Sequence, residues 1–299
     1  MNKKTASALI LLLVALIWGT AFVAQSKGMD HVGAFTYNCV RCFIGGLVLL
    51  PVIPLLTKIK GSAQKEGEGV PFKVTLIGGV CCGIALFAAS SLQQIGIGMT
   101  TAGKAGFITA LYIVIVPVLG IFFNRRVHFG VWLCVAVAVA GFYLLSVKEG
   151  FTIGKGDLFV LGCAFVFSVH ILLIDCFNGK GADAVKMSCI QFFTVAVISL
   201  PIMLIAERPE LSQLFDAALP ILYGGVMSNG VAYTLQIIGQ KNADPTAATL
   251  IMSLESVFAA VSGWLILGES LSGKELAGCA LVLAAVMAAQ LLPARKDKA

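Results

Sequence analysis

Arg41, Lys104, His170 and Glu255 are ionisable side chains set inside stretches of sequence that are otherwise almost wholly apolar. Glu255, in Ser253-Leu254-Glu255-Ser256, lies nine residues beyond Thr246, roughly 13 Å along a helix. An ionisable group that deep in an apolar layer is expensive, and by default it marks a binding position or a proton relay. Its chemistry would be to hold a solute amine or to carry a coupling proton; a helix-to-helix hydrogen bond from the neutral acid is the alternative. Histidine as a residue type has an ordinary pKa that would suit His170 to a proton carrier, although a lone histidine on a helix also serves as a packing residue. Arg41 sits about 7 residues into its run, where it either binds carbonyl groups of a neighbouring helix or faces a ligand. Lys104 lies near the start of its run, so it either snorkels to the surface or draws an anionic group toward a cavity mouth. Trp18 is too deep for an interfacial anchor and packs between helices or lines a cavity. Tyr112, Asn229, Tyr233, Gln93 and Gln236 complete the candidate lining.

Gln93, Lys104, Tyr112, Gln236 and Glu255 belong to a duplicated segment. The stretch from Gln93, QQIGIGMTTAGKAGFITALYIVIVP, is echoed from Gln236, QIIGQKNADPTAATLIMSLESVFAA. A shift of 143 residues pairs Gln93 with Gln236, Gly96 with Gly239, Ala105 with Ala248, Leu111 with Leu254 and Gly120 with Gly263. A weaker echo at shifts of 149 and 150 pairs Trp18-Gly19 with Phe167-Ser168, Arg41 with Gln191, Phe43 with Phe193 and Pro51 with Pro201. Internal repetition sets the architecture before any other signal is considered.

The chain has 299 residues, 59% hydrophobic and 12% charged. That is about half the charge of a soluble domain, too little to cover a soluble surface of this size. Ten apolar runs can be drawn, each near the roughly 20 residues that a bilayer core requires: 6–26, 34–56, 72–94, 101–123, 127–147, 157–177, 185–206, 214–238, 246–267 and 273–292. Five helices per half is an odd number, so the second half enters the membrane upside down relative to the first. The expected fold is therefore an all-α membrane protein of ten transmembrane helices in two inverted five-helix repeats, residues 1–149 and 150–299, with a site between the halves near mid-membrane. The first run is longer than a signal-peptide core and its only small-residue cleavage point, ending at Ala24, has Phe22 where a small residue is needed; it reads as a retained helix.

The net charge of +6 is a topology signal rather than a nucleic-acid footprint. With an interior N-terminus, fourteen of the 21 Lys and Arg fall in interior loops, among them Lys58, Lys60, Arg125 and Arg126, and five in exterior ones. Positively charged loops stay cytoplasmic, so both termini are expected inside a plasma membrane. Thr57 to Lys73 and Lys148 to Asp157 read as linkers. The nine cysteines lie in or beside apolar runs and read as small packing residues, the Cys39-x-x-Cys42 pair included. No His, Cys or carboxylate set has metal-ligand spacing, and neither a cofactor nor a catalytic cluster is expected. Helices 5 and 10 are smooth, with small residues four apart at Ala136 and Ala140 and at Ala280, Ala284 and Ala288, a pattern suited to scaffold or homodimer contacts.

The run Ser253-Leu254-Glu255, followed by Leu267-Gly268-Glu269-Ser270-Leu271 and Gly278 with an aliphatic tail, resembles the drug/metabolite transporter superfamily in its ten-helix EamA type. Trp18-Gly19, Arg41 and the five-plus-five repeat also fit that pattern. Ser256 stands where the family often has proline after the glutamate, and Asn124-Arg125-Arg126 stands where the first half would carry a Gly-Glu pair. The resemblance implies a multi-pass carrier of a small organic solute (metabolite, amino acid or drug-like), not an enzyme, with a central cavity lined from both halves; proton coupling through Glu255 fits the same picture. A membrane-embedded lipid-handling protein and a small-solute sensor are the alternatives. The loop charges carry their own test: alkaline phosphatase fused after Lys65 is expected to stay inactive in the cytoplasm of a bacterial host, and the same enzyme fused after Lys155 to be exported and active. Activity in the opposite pair would reverse the topology.

Overall fold

The computed structural model describes residues 3–60, 72–100, 102–122, 128–146, 154–267 and 272–291, and of residues 56–60, 102–104, 145–146, 267 and 290–291 only the backbone. The linkers at 57–73 and 148–157, Arg125-Arg126, Gly268-Glu269 and the Lys104 side chain fall wholly or partly outside the described residues. Every described element is helical: α1 (Lys3–Met29), α2 (Ala34–Lys60), α3 (Phe72–Ile97), α4 (Ala102–Ala110), α5 (Tyr112–Phe122), α6 (Phe129–Ser146), α7 (Lys155–Gly179), α8 (Ala184–Ile202), α9 (Leu211–Asp216), α10 (Ala218–Leu222), α11 (Thr234–Gln240), α12 (Pro245–Met252), α13 (Glu255–Leu267) and α14 (Gly273–Leu291), with π-helical segments at Met203–Glu207 and Tyr223–Tyr233. Among the described residues, seven helices or joined helix pairs are long and apolar enough to cross a membrane. Of the other expected runs, Phe129–Leu144 is apolar but shorter, the run at 214–238 is divided among α9, α10, the second π segment and α11, and α14 opens with Lys274 and Glu275.

The distribution of side chains is inverted relative to a water-soluble protein. Leu9, Leu12, Leu13 and Leu16 of α1, Phe43, Leu47 and Leu50 of α2, and Leu158, Leu161 and Phe165 of α7 are exposed, while Gln25, Asn38, Arg41, Gln94, His170, Gln191 and Gln236 are buried. Lipid chains accept the apolar exterior, and the polar groups turn inward because hydrocarbon offers them no partner.

Two helices expected to run straight through are broken. The first repeat segment stops at Ala110 and restarts at Tyr112; the second stops at Met252 and restarts at Glu255. Leu111 and Leu254, the residues at the breaks, are partners at the 143-residue shift. The peptide groups freed there are rebonded locally: Val114 N–H donates to Leu111 O at 2.9 Å, and Ser256 N–H donates to Ser253 O at 3.2 Å. Other helix ends carry their own acceptors. Asp183 Oδ1 takes the Lys186 N–H at the start of α8, and Asp244 Oδ1 takes the Thr246 N–H beside Pro245 at the start of α12; proline at the first helical position costs no hydrogen bond. The first turn of α2 is capped from elsewhere in the chain. Glu207, at the end of the first π segment, accepts from Phe35 N–H at 2.9 Å and from Thr36 N–H and Oγ1 at 2.6 Å each.

The halves of the chain interlock. α7 packs on α3, α4 and α5, while α1 packs on α11, the second π segment, α12 and α13; α2 lies on α8, and α6 on α14. Two sulfur hydrogen bonds mark the exchange. Cys39 Sγ donates to Ala196 O at 3.5 Å, and Cys189 Sγ donates to Gly46 O at 3.6 Å; Cys189 and Ala196 are the 150-residue counterparts of Cys39 and Gly46. Of the C-x-x-C pair, Cys39 thus faces a helix backbone, and Cys42 Sγ accepts from Asn229 Nδ2 at 3.2 Å. Small residues set the helix spacing. A Cβ at Gly83 would lie 2.5 Å from Thr194 Cβ and 2.9 Å from Gln191 O, closer than the α3–α8 contact allows. Gly83→Val is therefore expected to lower thermal stability in detergent by about 1–3 kcal/mol, whereas Val197→Ala on the exposed face of α8 should leave the unfolding midpoint almost unchanged. An unaltered midpoint for Gly83→Val would refute a close apposition of α3 and α8 at this position.

Candidate functional site

A single cavity gathers residues from α1, α2, α3, α4, α5, α7, the second π segment, α11, α12 and α13. Its walls are Trp18, Phe22, Gln25, Arg41, Gln93, Thr109, Tyr112, Phe167, Ile171, Ser228, Tyr233, Gln236, Met252 and Glu255, around about 470 Å³ of space that includes some open solvent. Five pairs of wall residues are repeat counterparts: Trp18 and Phe167, Phe22 and Ile171, Gln93 and Gln236, Thr109 and Met252, Tyr112 and Glu255. The cavity is thus built twice from the same positions, once by each half.

One of those pairs touches. Tyr112 OH donates to Glu255 Oε1 at 3.0 Å. Each residue opens the helix that follows its break, Tyr112 in α5 and Glu255 in α13. The first turn of a helix carries partial positive charge from its N–H groups, and discontinuous helices of membrane carriers present such ends to charged groups at mid-membrane. The Glu255 carboxyl, 4% exposed, has a helix terminus behind it and a phenol in front. Ser256 Oγ, next in sequence, donates to Gly106 O of α4 at 2.9 Å and ties the two broken segments together.

The aromatic wall is layered. The Trp18 and Tyr233 rings lie 4.7 Å apart, and Trp18 Nε1–H donates to Ser228 O at 3.4 Å. That carbonyl belongs to the π segment, whose wider turn is a form of helix often found at functional sites. Tyr233 is backed by Phe192 at 5.8 Å and by His170 at 6.1 Å. Gln93 Nε2 donates to Thr109 Oγ1 at 3.3 Å.

Three buried polar atoms of the wall have no hydrogen-bond partner: Gln25 Oε1, Gln236 Oε1 and Arg41 Nε. Arg41 is 3% exposed. Its guanidinium lies over the Tyr37 ring, 5.2 Å from the centroid, a cation–π contact, and it makes no ion pair with any described residue.

Seven of the ten candidate residues meet at this cavity: Trp18, Arg41, Gln93, Tyr112, Tyr233, Gln236 and Glu255. His170 stands behind the wall, fully buried, with Nε2 bonded to Gln191 Oε1 at 3.1 Å and its ring edge-on to Phe167 and Tyr233. Asn229 points away toward Cys42. Lys104 belongs to the first turn of α4, with its side chain outside the described residues. Sequence reasoning missed Phe22, Gln25, Thr109, Phe167, Ile171, Ser228 and Met252 as wall residues. The 143-residue shift already links Thr109 to Met252 as it does Tyr112 to Glu255, and the 149-residue shift links Phe22 to Ile171. Gln25 and Ser228 carry no such signal. No group of His, Cys, Asp and Glu among the described residues is arranged to hold a metal.

The profile of the EamA-like transporter family matches residues 5–147 and again residues 154–289. An uncharacterized transporter of Archaeoglobus fulgidus is 32% identical over 97% of this chain and 87% of its own length. The threonine/homoserine exporter RhtA of Escherichia coli is 27% identical over 97% of this chain and 93% of its own. A WAT1-related chloroplastic protein of Arabidopsis thaliana is 24% identical over 93% of this chain and 67% of its own. A solved crystal structure, 19% identical, superposes with a TM-score of 0.78 over 96% of this chain and 97% of that one; at that identity the likeness is one of fold. With two matches that together span nearly the whole sequence, and a cavity walled by the same positions of both, the chain belongs to the EamA-like transporter family, a multi-pass membrane protein within the drug/metabolite transporter superfamily.

Proposed function

We propose that this chain is a secondary transporter that exports a small organic solute in exchange for protons, through the cavity between two inverted repeats, residues 1–149 and 150–299. The observation that carries this reading is the bond between Tyr112 and Glu255, repeat counterparts that meet inside the membrane at the head of two broken helices. Rocking one half against the other around such a contact opens the cavity to each side in turn. The reciprocal Cys39 and Cys189 contacts support two halves related by a two-fold exchange, and with the charge asymmetry of the loops they favour ten crossings with both termini in the cytoplasm of a plasma membrane. Ala136, Ala140, Ala280, Ala284 and Ala288 are all exposed, leaving the outer face of α6 and α14 smooth enough for a second copy. The export direction draws on the likeness to RhtA.

Glu255 is the exchange point. A carboxylate there can hold a proton or a cationic group of the solute, and not both at once, which makes the two fluxes run in opposite directions. Tyr112 holds the ionised form by donating its hydroxyl hydrogen. His170, bonded to Gln191 behind Tyr233, keeps the aromatic wall in position and takes no proton in this scheme.

In proteoliposomes with an imposed pH gradient, scanned over a panel of amino acids, nucleosides and cationic drugs, the native protein should move at least one solute against its gradient. Glu255→Gln should fold, lose at least about tenfold of gradient-driven flux and lose the pH dependence of what remains. Tyr112→Phe keeps the ring but not the hydroxyl and should cost about 1 kcal/mol, a few-fold in rate, with the pH profile displaced and not abolished. Undiminished, pH-dependent flux in Glu255→Gln would sink the proton-exchange role. Lipid movement independent of any solute would overturn transport itself.

A further inference from the structure

The repetition that builds the cavity also builds the layers above and below it, and there the two halves differ. At one end, Ile174 and Phe177 of α7, Met187 of α8 and Ile237 of α11 pack together, none more than 8% exposed. The 149-residue shift returns Ile174 to Gln25 and Phe177 to Gly28, the 150-residue shift returns Met187 to Tyr37, and the 143-residue shift returns Ile237 to Gln94. The counterparts keep the same neighbours. Gln94 Nε2 donates to Gln25 O at 3.2 Å, as Ile237 and Ile174 share one cluster. A Cβ at Gly28 would lie 2.4 Å from the Tyr37 ring, as Phe177 and Met187 both approach Gly78. One layer is thus wholly apolar in its side chains, and its image carries two buried amides. On the topology proposed above, the apolar layer faces the cytoplasm and the amide layer faces outward.

Water distinguishes the two. Gln25 Oε1 and Gln94 Oε1 are buried without partners, as are both polar side-chain atoms of Asn38 and Ser91 Oγ. A buried water needs about two to four polar partners, and a glutamine amide offers both donors and acceptors. The side chains of Ile174, Phe177, Met187 and Ile237 offer none, and an apolar constriction gates by shedding water. Polar atoms without partners stand on both sides of that layer. Toward the cavity are His170 Nδ1, Gln191 Nε2 and Thr234 Oγ1, and three residues past Ile237 are both amide atoms of Gln240. The dry layer therefore parts two sets of water-binding groups. Thr234 is the counterpart of Ser91, and Ser188, also unpartnered, is that of Asn38. The polar groups recur in both halves while the layers have diverged.

Resting on the transport reading above, we infer that the amides of Gln25 and Gln94 bind the water through which Glu255 exchanges its proton with the outer side, and that Ile174, Phe177, Met187 and Ile237 seal the cavity against the cytoplasm. The proton passes along hydrogen-bonded water to the Glu255 carboxylate and neutralises it; only O–H bonds form and break. Arg41 and Glu255, the charged groups of the wall, have opposite signs, so the ionised carboxylate offsets the cation beside this route. Ile237 is the deciding position, since an amide there gives water a foothold in the dry layer.

The test uses the full-length protein in proteoliposomes loaded with a pH-sensitive dye, first with no solute present. A potassium diffusion potential drives protons inward. Ile237→Gln, which installs the counterpart residue, should admit protons at least about tenfold faster than the native protein, and Ile237→Leu should stay tight. Ile237→Thr, closer to isoleucine in shape, should leak to a lesser degree and keeps the test decisive where the glutamine variant does not fold. Gln94→Ile should stay tight as well. With whichever solute of the amino-acid, nucleoside and cationic-drug panel the native protein moves, Gln94→Ile should lose at least about tenfold of gradient-driven flux, while Gln94→Asn keeps part of it. Unfolding midpoints in detergent verify that each variant is folded. Native tightness in the folded Ile237→Gln or Ile237→Thr variant would overturn the seal, as would an equal leak in Ile237→Leu. Undiminished flux in Gln94→Ile would overturn the water route. If a solute moves and the Ile237 variants stay tight, the inference fails and transport stands. If no solute moves and Ile237→Gln still leaks, transport fails and the seal stands.

Discussion

Every backbone N–H and C=O inside a bilayer has to find its partner within the protein, because hydrocarbon supplies none. An unbroken helix satisfies that demand automatically, so a break is tolerated only where the freed groups are buried against other helices or line a cavity. This chain breaks two of its membrane helices, at Leu111 and at Ser253-Leu254, and it does so at equivalent positions of the two halves. Much else follows from those breaks. They turn the Tyr112 and Glu255 side chains toward one another, they bring Ser256 onto the backbone of α4, and they draw α1 and α7, each packed against a broken pair from the other half, into the walls of one cavity.

Around that centre the two halves have kept their shape and changed their chemistry. Gln93 and Gln236 remain identical, and Trp18 and Phe167 remain aromatic. Tyr112 and Glu255 have become donor and acceptor, and Arg41 and Gln191 a buried cation and a hydrogen-bonded amide. Shape is shared because helix spacing is set by small residues such as Gly79, Gly83, Gly225 and Gly239, and a change at any of them would push whole helices apart. Side chains that face the cavity meet empty space and carry no such penalty, so the functional differences between the halves gather there.

Much of this was legible in the residues alone. Low charge and ten apolar runs imply a helical membrane protein, and the 143-residue echo implies two copies of one unit. The same echo contains the contact between Tyr112 and Glu255, since one is the image of the other. The breaks were not legible. Ala-Leu-Tyr and Ser-Leu-Glu contain neither glycine nor proline, and a helix interrupted by tertiary packing leaves no local signal. The π segment Tyr223–Tyr233 was hidden for the same reason, as its composition reads like that of any small-residue helix. The bond from His170 to Gln191 was not legible either, because depth and residue type are visible in a sequence and hydrogen-bond partners are not; Gln191 lies on a different helix.

The contact between Tyr112 and Glu255 also bears on what kind of molecule can hold this cavity. Two separate copies of one five-helix chain, related by a two-fold axis, would oppose each residue near the axis to itself. The centre would then be two phenols or two carboxylates. Two carboxylates at that distance cannot both be ionised, and two phenols exchange no proton near neutrality. A phenol facing a carboxylate requires that the two halves be encoded separately. Fusion in a single chain supplies that at a fixed one-to-one ratio, without the mispairing that two unlinked halves would risk.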